Sequence, residues 1–269
     1  MLNLIKQTIA KATGFIEGHI LTKPRFVDVI GTGSLESLDV RKFAQFYAAF
    51  EAAQFYSQHL YNAEFYDSYL DHVAAMAKRA AAQGDGAFLE FGVATGTTIK
   101  LIAAASGRPV TGFDSFQGLP EDWRYGVKRG AFALKVPVLP DSISLKIGLI
   151  EETLPLYLSD LGGKSISFVH IDTDLYKPAK LILSLCRQFF RQTVIVFDEF
   201  FNYPGWRDHE YRAFTEFQEE HGDEFHIGYL GLGGATAVSA LVTRKSPTGL
   251  QRNVIHPSGP NPQRQQARP

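Results

Sequence analysis

The sequence predicts an α/β protein: a doubly wound, mostly parallel sheet of about seven strands with helices on both faces, plus an N-terminal helical cap. Three observations predict it. From residue 87 onward, short apolar runs alternate with segments of helical period. The stretch Ala87 to Asp114, AFLEFGVATGTTIKLIAAASGRPVTGFD, reads as strand, glycine turn, helix, strand and acid, one βαβ unit. Two further apolar runs, Ile166–Ile171 and Thr193–Phe197, each end on acids, as buried parallel strands feeding one edge of a sheet would. Three regions follow: a cap over 1–85, a core over 86–245, and a disordered tail over 246–269 dominated by Pro, Gln, Arg and Gly.

In order, Leu2, Ile5 and Ile9 have helical spacing, Lys23-Pro24 interrupts it, and Gly31–Ser34 is loop. From Asp39 to Ala82 the pattern is helical, with Phe43, Phe46, Tyr47 and Phe50 at i, i+3, i+4 and i+7. Two helices packing on the core or on a second subunit explain this, which is compatible with a homodimer. Alternatively the tyrosines roof an acceptor pocket. After the Ala87–Phe91 strand, a helix runs from Thr97 to Ala105 and a strand from Pro109 to Asp114. The irregular stretch from Gly118 to Pro140 reads as a lid. Ser144–Gly148 is a strand, Thr153–Leu161 a helix starting at Pro155, and a further helix runs from Lys177-Pro178 to Arg191. A helix over 208–220 and an antiparallel hairpin, Phe225–Leu230 with Ala235–Val242, complete the core.

Composition excludes several classes. The 269 residues are 45% hydrophobic and 20% charged with a formal net charge of −1, so no basic footprint for nucleic acid exists. One cysteine, Cys186, allows neither an internal disulfide nor a cysteine metal cage. No apolar run approaches the roughly 18 residues of a membrane span, and no signal-peptide pattern opens the chain. The expectation is a cytoplasmic protein that binds neither membrane nor nucleic acid.

The site is expected at the strand ends. Gly92 and Gly96 let backbone approach a ligand, and the start of the following helix offers N–H groups to a carboxylate. Thr95 and Thr97 flank the second glycine. Asp114 and Ser115 close the next strand, with Asp114 placed to accept from two ribose hydroxyls. The spacing is G-x-x-x-G rather than G-x-G-x-x-G, which disfavours a nicotinamide cofactor. Asp172, Asp198 and Glu199 would converge as three carboxylates whose repulsion a divalent cation relieves, and all-oxygen ligands suit Mg²⁺. Asp174 reads instead as the N-cap of the helix after it. His170 reads as a core histidine, and His209 as a residue able to orient or deprotonate an acceptor. Trp206 either stacks on an acceptor or packs the lid.

The motifs E-F-G-V-x-x-G-x-T and G-F-D-S-F-x-G-L-P resemble the S-adenosylmethionine site of class I, Rossmann-like methyltransferases. The DSFQGLP form is similar to the macrocin-type sugar O-methyltransferases of macrolide and aminocoumarin biosynthesis. Over Ala87–Arg244, this resemblance implies Glu90 and the Gly92–Gly96 loop around the methionine end, Asp114 on the ribose and Gly148 near the adenine. Asp172 and Asp198 match metal-ligand positions there, whereas Glu199 stands where the family has a second Asp. The implied activity is Mg²⁺-assisted O-methylation of a small hydroxylated acceptor, a sugar or glycoside, with Asp172 or His209 as base. A cephalosporin-hydroxylase-like enzyme on the same scaffold, or a non-catalytic S-adenosylmethionine-binding protein, would share these motifs.

Overall fold

The computed structural model describes residues 39–246, Tyr125 excepted. The expected Leu2–Ile9 helix, the Gly31–Ser34 loop and the tail beyond 246 lie outside them. Helix α1 (Val40–Phe55) is capped by the Asp39 carboxylate, which accepts from Arg41 N–H. Its buried face is Ala48, Ala52 and Phe55, while Phe43, Tyr47 and Phe50 are exposed. The aromatic stripe therefore does not face the core. A π-helical turn, Tyr56–Leu60, follows, then a short strand β1 (Glu64–Tyr66) that the sequence pattern had absorbed into helix. Helix α2 (Tyr69–Gln83) starts on a Ser68 cap and buries His72, Val73, Met76, Ala77 and Ala80 along one face.

The remaining elements are β2 (Ala87–Phe91), α3 (Thr97–Ser106), β3 (Val110–Asp114), β4 (Ile143–Ile147), α4 (Ile150–Asp160), β5 (Ile166–Ile171) and α5 (Tyr176–Cys186). Then come β6 (Phe190–Phe197), α6 (Glu210–His221), β7 (Phe225–Gly233) and β8 (Ala237–Arg244). Helix α4 begins at Ile150, so Pro155 stands in its second turn rather than at its start. Helix α5 stops at Cys186, earlier than the helical pattern suggests. Phe190 already belongs to β6, where it packs against Phe217 and Phe225.

The sheet has eight strands in the order β1-β7-β8-β6-β5-β2-β3-β4. Only β8 runs against its neighbours, β6 and β7. The eighth strand is β1, pairing in parallel with β7 through Glu64↔Gly231 to Tyr66↔Gly233. All six residues of β5 are buried, as expected for a strand covered on both faces. Phe88, Phe168, Val194 and Val196 point toward α2 and α3. Leu89, Val169, Ile171, Ile195 and Phe197 point toward α4, α5 and α6. The chain leaves β2 for β3 and β4, then returns to β5 on the other side, so the topological switch point lies between β2 and β5. Among the described residues, no helix is long and apolar enough to cross a membrane.

His72 ties α2 to the sheet. It is fully buried, its Nε2 lies 2.8 Å from Ser239 Oγ, and a Cβ on Gly233 would sit 2.3 Å from its own Cβ. Burial depresses its pKa to about 4. Below the ordinary imidazole value of 6.5 the unfolded chain takes up a proton that the folded chain refuses, so stability falls as pH drops from 6.5 toward 4. Comparing urea unfolding of the wild type with His72→Phe should isolate this contribution, which amounts to about 3 kcal/mol across the window. Identical pH profiles for the two proteins would contradict it.

Candidate functional site

Strand parity decides which side chains meet. Glu90 shares the face of Phe88, and His170 that of Phe168. Register sets Glu90, His170 and Val196 side by side across β2, β5 and β6. The ladder continues one rung beyond the strands: Asp172 N–H donates to Phe91 O, and Asp198 N–H to Ile171 O. Gly92, Asp172 and Asp198 thus form the next row on the same face, at the switch point. Gly92 is squeezed there: at φ +87° its missing Cβ would stand 1.8 Å from the Asp172 carbonyl oxygen.

Glu90 and His170 are both fully buried, with Glu90 Oε1 2.9 Å from His170 Nδ1. The other imidazole nitrogen lies 2.8 Å from the Tyr69 hydroxyl at the start of α2. Glu90 Oε2 is buried without a partner. Asp198 lies beside this chain of contacts, where the Tyr69 hydroxyl and Asp172 both act on its carboxyl. Burial, then the neighbouring Asp198 charge, pushes Asp172 well above the usual carboxylate range, and burial likewise raises Asp198.

The residues expected around a cofactor gather at the same edge. Asp114 lies in a cradle of backbone amides: Oδ2 accepts from Val93 N–H (2.8 Å) and Ala94 N–H (2.9 Å), and Oδ1 from Phe116 N–H (2.7 Å). Its carboxylate therefore shapes the glycine turn, where the sequence reading had it accept from two ribose hydroxyls. Gly148 N–H donates to Asp114 O, bringing the end of β4 beside it. Thr95 Oγ1 and Thr97 Oγ1 are 2.9 Å apart at the start of α3. Gly96, left-handed at φ +77°, caps α3 without a side chain, and Pro137 and Leu139 pack over it. Ser115 Oγ accepts from Gln117 N–H in the loop that follows.

The acids do not assemble as one trio. Glu199 has the opposite parity to Asp198 and pairs with Arg124 at 3.2 Å. Among the described residues, no three His, Cys, Asp or Glu side chains are posed to hold a metal ion together. The neighbouring Asp172–Asp198 pair fits a hard cation, since two carboxylates close together in a desolvated site repel one another. Burial, offset in part by Arg124, lifts both Glu199 and Asp174 to about 7. Asp174 is not the N-cap of α5. That place belongs to Leu175, without a side-chain bond, while Asp174 adopts a left-handed φ of +61°.

His209 lies half-buried between Trp123 and Tyr203, and burial lowers its pKa, so it is neutral and able to accept a proton near pH 7. Trp206 is a core residue, 1% exposed and 4.5 Å from the Tyr211 ring. Tyr69, one of the tyrosines expected to pack or to roof an acceptor pocket, borders this edge, as do three residues the sequence did not single out: Arg124, Tyr203 and Glu210. Glu210 is fully buried, accepts from Thr173 N–H through Oε1 and leaves Oε2 unpartnered. A buried glutamate in the first turn of an otherwise polar helix gives no local signal. A cavity of about 180 Å³ lined by Asp85, Arg108, Tyr157 and Lys164 opens at the opposite, N-terminal edge of the sheet, remote from these acids.

No family model and no curated protein matches the chain. Among solved structures it is similar to CalS11, a calicheamicin methyltransferase, at 25% identity and a TM-score of 0.51, over 63% of this chain and 77% of that one. An apo structure of CalS11, described as a TDP-rhamnose 3′-O-methyltransferase, gives 23% identity and a TM-score of 0.46, over 63% and 78%. MycE, a methyltransferase of mycinamycin biosynthesis in complex with Mg and SAH, gives 12% identity and a TM-score of 0.43, over 80% and 66%. A parallel sheet with one reversed strand, a glycine turn at its switch point and this likeness identify the architecture. The chain has the fold of the class I S-adenosylmethionine-dependent methyltransferases.

Proposed function

We propose that the protein moves the methyl group of S-adenosylmethionine onto a hydroxyl of a small polyhydroxylated molecule, a sugar or glycoside. What supports this reading is that Gly92, Asp114 and Gly148 are joined by backbone bonds at the C-terminal edge of β2, β3 and β4, with Gly96 in the same turn and Asp172 and Asp198 on the next row. Glu90, Thr95, Thr97 and Ser115 border the same edge, and the unpartnered Glu90 Oε2 is available to a cofactor's polar groups. The likeness to a calicheamicin methyltransferase supports a natural-product acceptor.

In the reaction the acceptor oxygen forms a bond to the methyl carbon while the carbon–sulfur bond breaks. Sulfur keeps the pair and leaves as S-adenosylhomocysteine. Because the sulfonium is already reactive, the protein's task is to align the oxygen and remove its proton. Asp172 and His209 are the candidate bases, His209 because burial keeps it neutral. A divalent cation, Mg²⁺ by its ligand chemistry, would be held by Asp172 and Asp198. Such an ion lowers the pKa of a bound hydroxyl.

Calorimetric titration of S-adenosylhomocysteine, with and without Mg²⁺, tests this reading. Micromolar binding is expected, and conversion of S-adenosylmethionine to S-adenosylhomocysteine with an acceptor would separate methyl transfer from hydroxylation. No binding under either condition sinks the reading.

A further inference from the structure

Arg124 occupies an enclosure of aromatic rings and acids. Its guanidinium carbon lies 3.9 Å from the centre of the Trp123 ring and 5.3 Å from that of Tyr203. Those rings meet edge-on at 5.8 Å, and His209 approaches each of them at 6.3 Å. Aromatic faces arranged in this way attract cations. Three carboxylates, Glu210, Glu199 and Asp174, lie near the Tyr203 hydroxyl. Of these Arg124 pairs with Glu199 and offsets Asp174 in part, and Glu210 has no cationic partner among the described residues.

Unpartnered polar atoms point to a missing ligand. Glu210 Oε2, Tyr203 Oη and Trp123 Nε1 are buried without hydrogen-bond partners, on side chains 0%, 5% and 8% exposed. The Tyr203 hydroxyl lies in the field of Glu210, Glu199 and Asp174, so it faces the acids rather than the core. Buried polar atoms left unpaired in this way are costly, and of the three the Glu210 and Tyr203 oxygens can accept from a donor. A protonated amine donates to such oxygens, and a protonated or quaternary one alike brings positive charge to the ring faces. A neutral hydroxyl meets only part of that demand.

We infer that the Trp123–Tyr203–His209 enclosure is a subsite for a protonated or quaternary amine carried by the acceptor, and that Arg124 holds its place until the acceptor arrives. This rests on the methyltransferase reading and narrows its acceptor class from polyhydroxylated molecules to amine-bearing ones.

The test compares choline with 3,3-dimethylbutan-1-ol, its neutral isostere, on wild-type protein and Arg124→Met, each saturated with S-adenosylhomocysteine. Tryptophan fluorescence is the readout. The chain has two tryptophans, and Trp206 is sealed against Phe55, Phe201 and Tyr211, so Trp123 reports the enclosure. Choline should bind about ten-fold tighter than the isostere, and tighter still to Arg124→Met. Equal affinities for the two probes, or no gain on removing Arg124, would overturn the subsite. Should Arg124→Met fail to fold, Glu210→Gln serves: choline binding should weaken while isostere binding stays unchanged, and unchanged choline binding would overturn the inference. Failure of wild-type protein to bind S-adenosylhomocysteine at all would instead count against the methyltransferase reading.

Discussion

Asp198→Asn should lower turnover by about 10²-fold or more while S-adenosylhomocysteine binding changes by no more than about two-fold. Asp198 stands one rung beyond β6, beside Asp172 and the Tyr69 hydroxyl, and away from the amide cradle of Asp114. Asparagine keeps the shape and an acceptor for Tyr69 but removes one charge of the pair. The same change should stabilise the ligand-free protein by about 1 kcal/mol at pH 8, because the lost charge repels its neighbours. The pH dependence fixes the sign. Asp174 and Glu199 have folded-state pKa values raised to about 7, partly by Asp198. Their contribution to stability is present in full below the ordinary carboxylate range and is lost as pH rises through about 7. Asp198→Asn should flatten that loss, as measured by urea unfolding at pH 5 and pH 8. Full turnover in this variant would remove the acidic pair from the mechanism.

Gly92→Ala should be the most damaging single methyl addition in the core, costing about 3 kcal/mol or more and abolishing cofactor binding. Two penalties add: a left-handed backbone, and a Cβ that would stand 1.8 Å from the Asp172 carbonyl oxygen. Relief requires β2 and β5 to separate at the point where both halves of the site meet. Gly107→Ala is the matched control. Gly107 is also left-handed, at φ +65°, but nothing lies within 4 Å of its missing Cβ. It should cost only about 1 kcal/mol. Equal thermal shifts for the two variants would show that backbone strain, not the clash, limits Gly92.

The elements easiest to read were those whose burial is uniform. β5 and β6 are covered on both faces, so their apolar runs announce them. β2 through β3 was legible because glycine and aspartate punctuate it. β1 escaped because three residues carry no period, and the aromatic residues on either side continue a helical spacing; only the Ser68 cap hints at the restart. At the site, sequence adjacency misled for Glu199, because strand parity sends it away from Asp198 and toward Arg124. Arg124, Tyr203 and Glu210 were illegible for a different reason. Each gains its meaning from partners far off in sequence: Thr173 for Glu210, Glu199 for Arg124 and Trp123 for Tyr203.

The parallel seam between β1 and β7 also constrains how the protein is made. Glu64–Tyr66 leave the ribosome early, yet their partners Gly231–Gly233 emerge only after nearly all of the core has been synthesised. Until then α2 lacks β7 and the Ser239 hydroxyl that His72 meets. Contacts this distant in sequence form slowly and leave apolar surface waiting. The N-terminal part of the nascent chain, rather than its end, is therefore the segment most dependent on chaperones during synthesis.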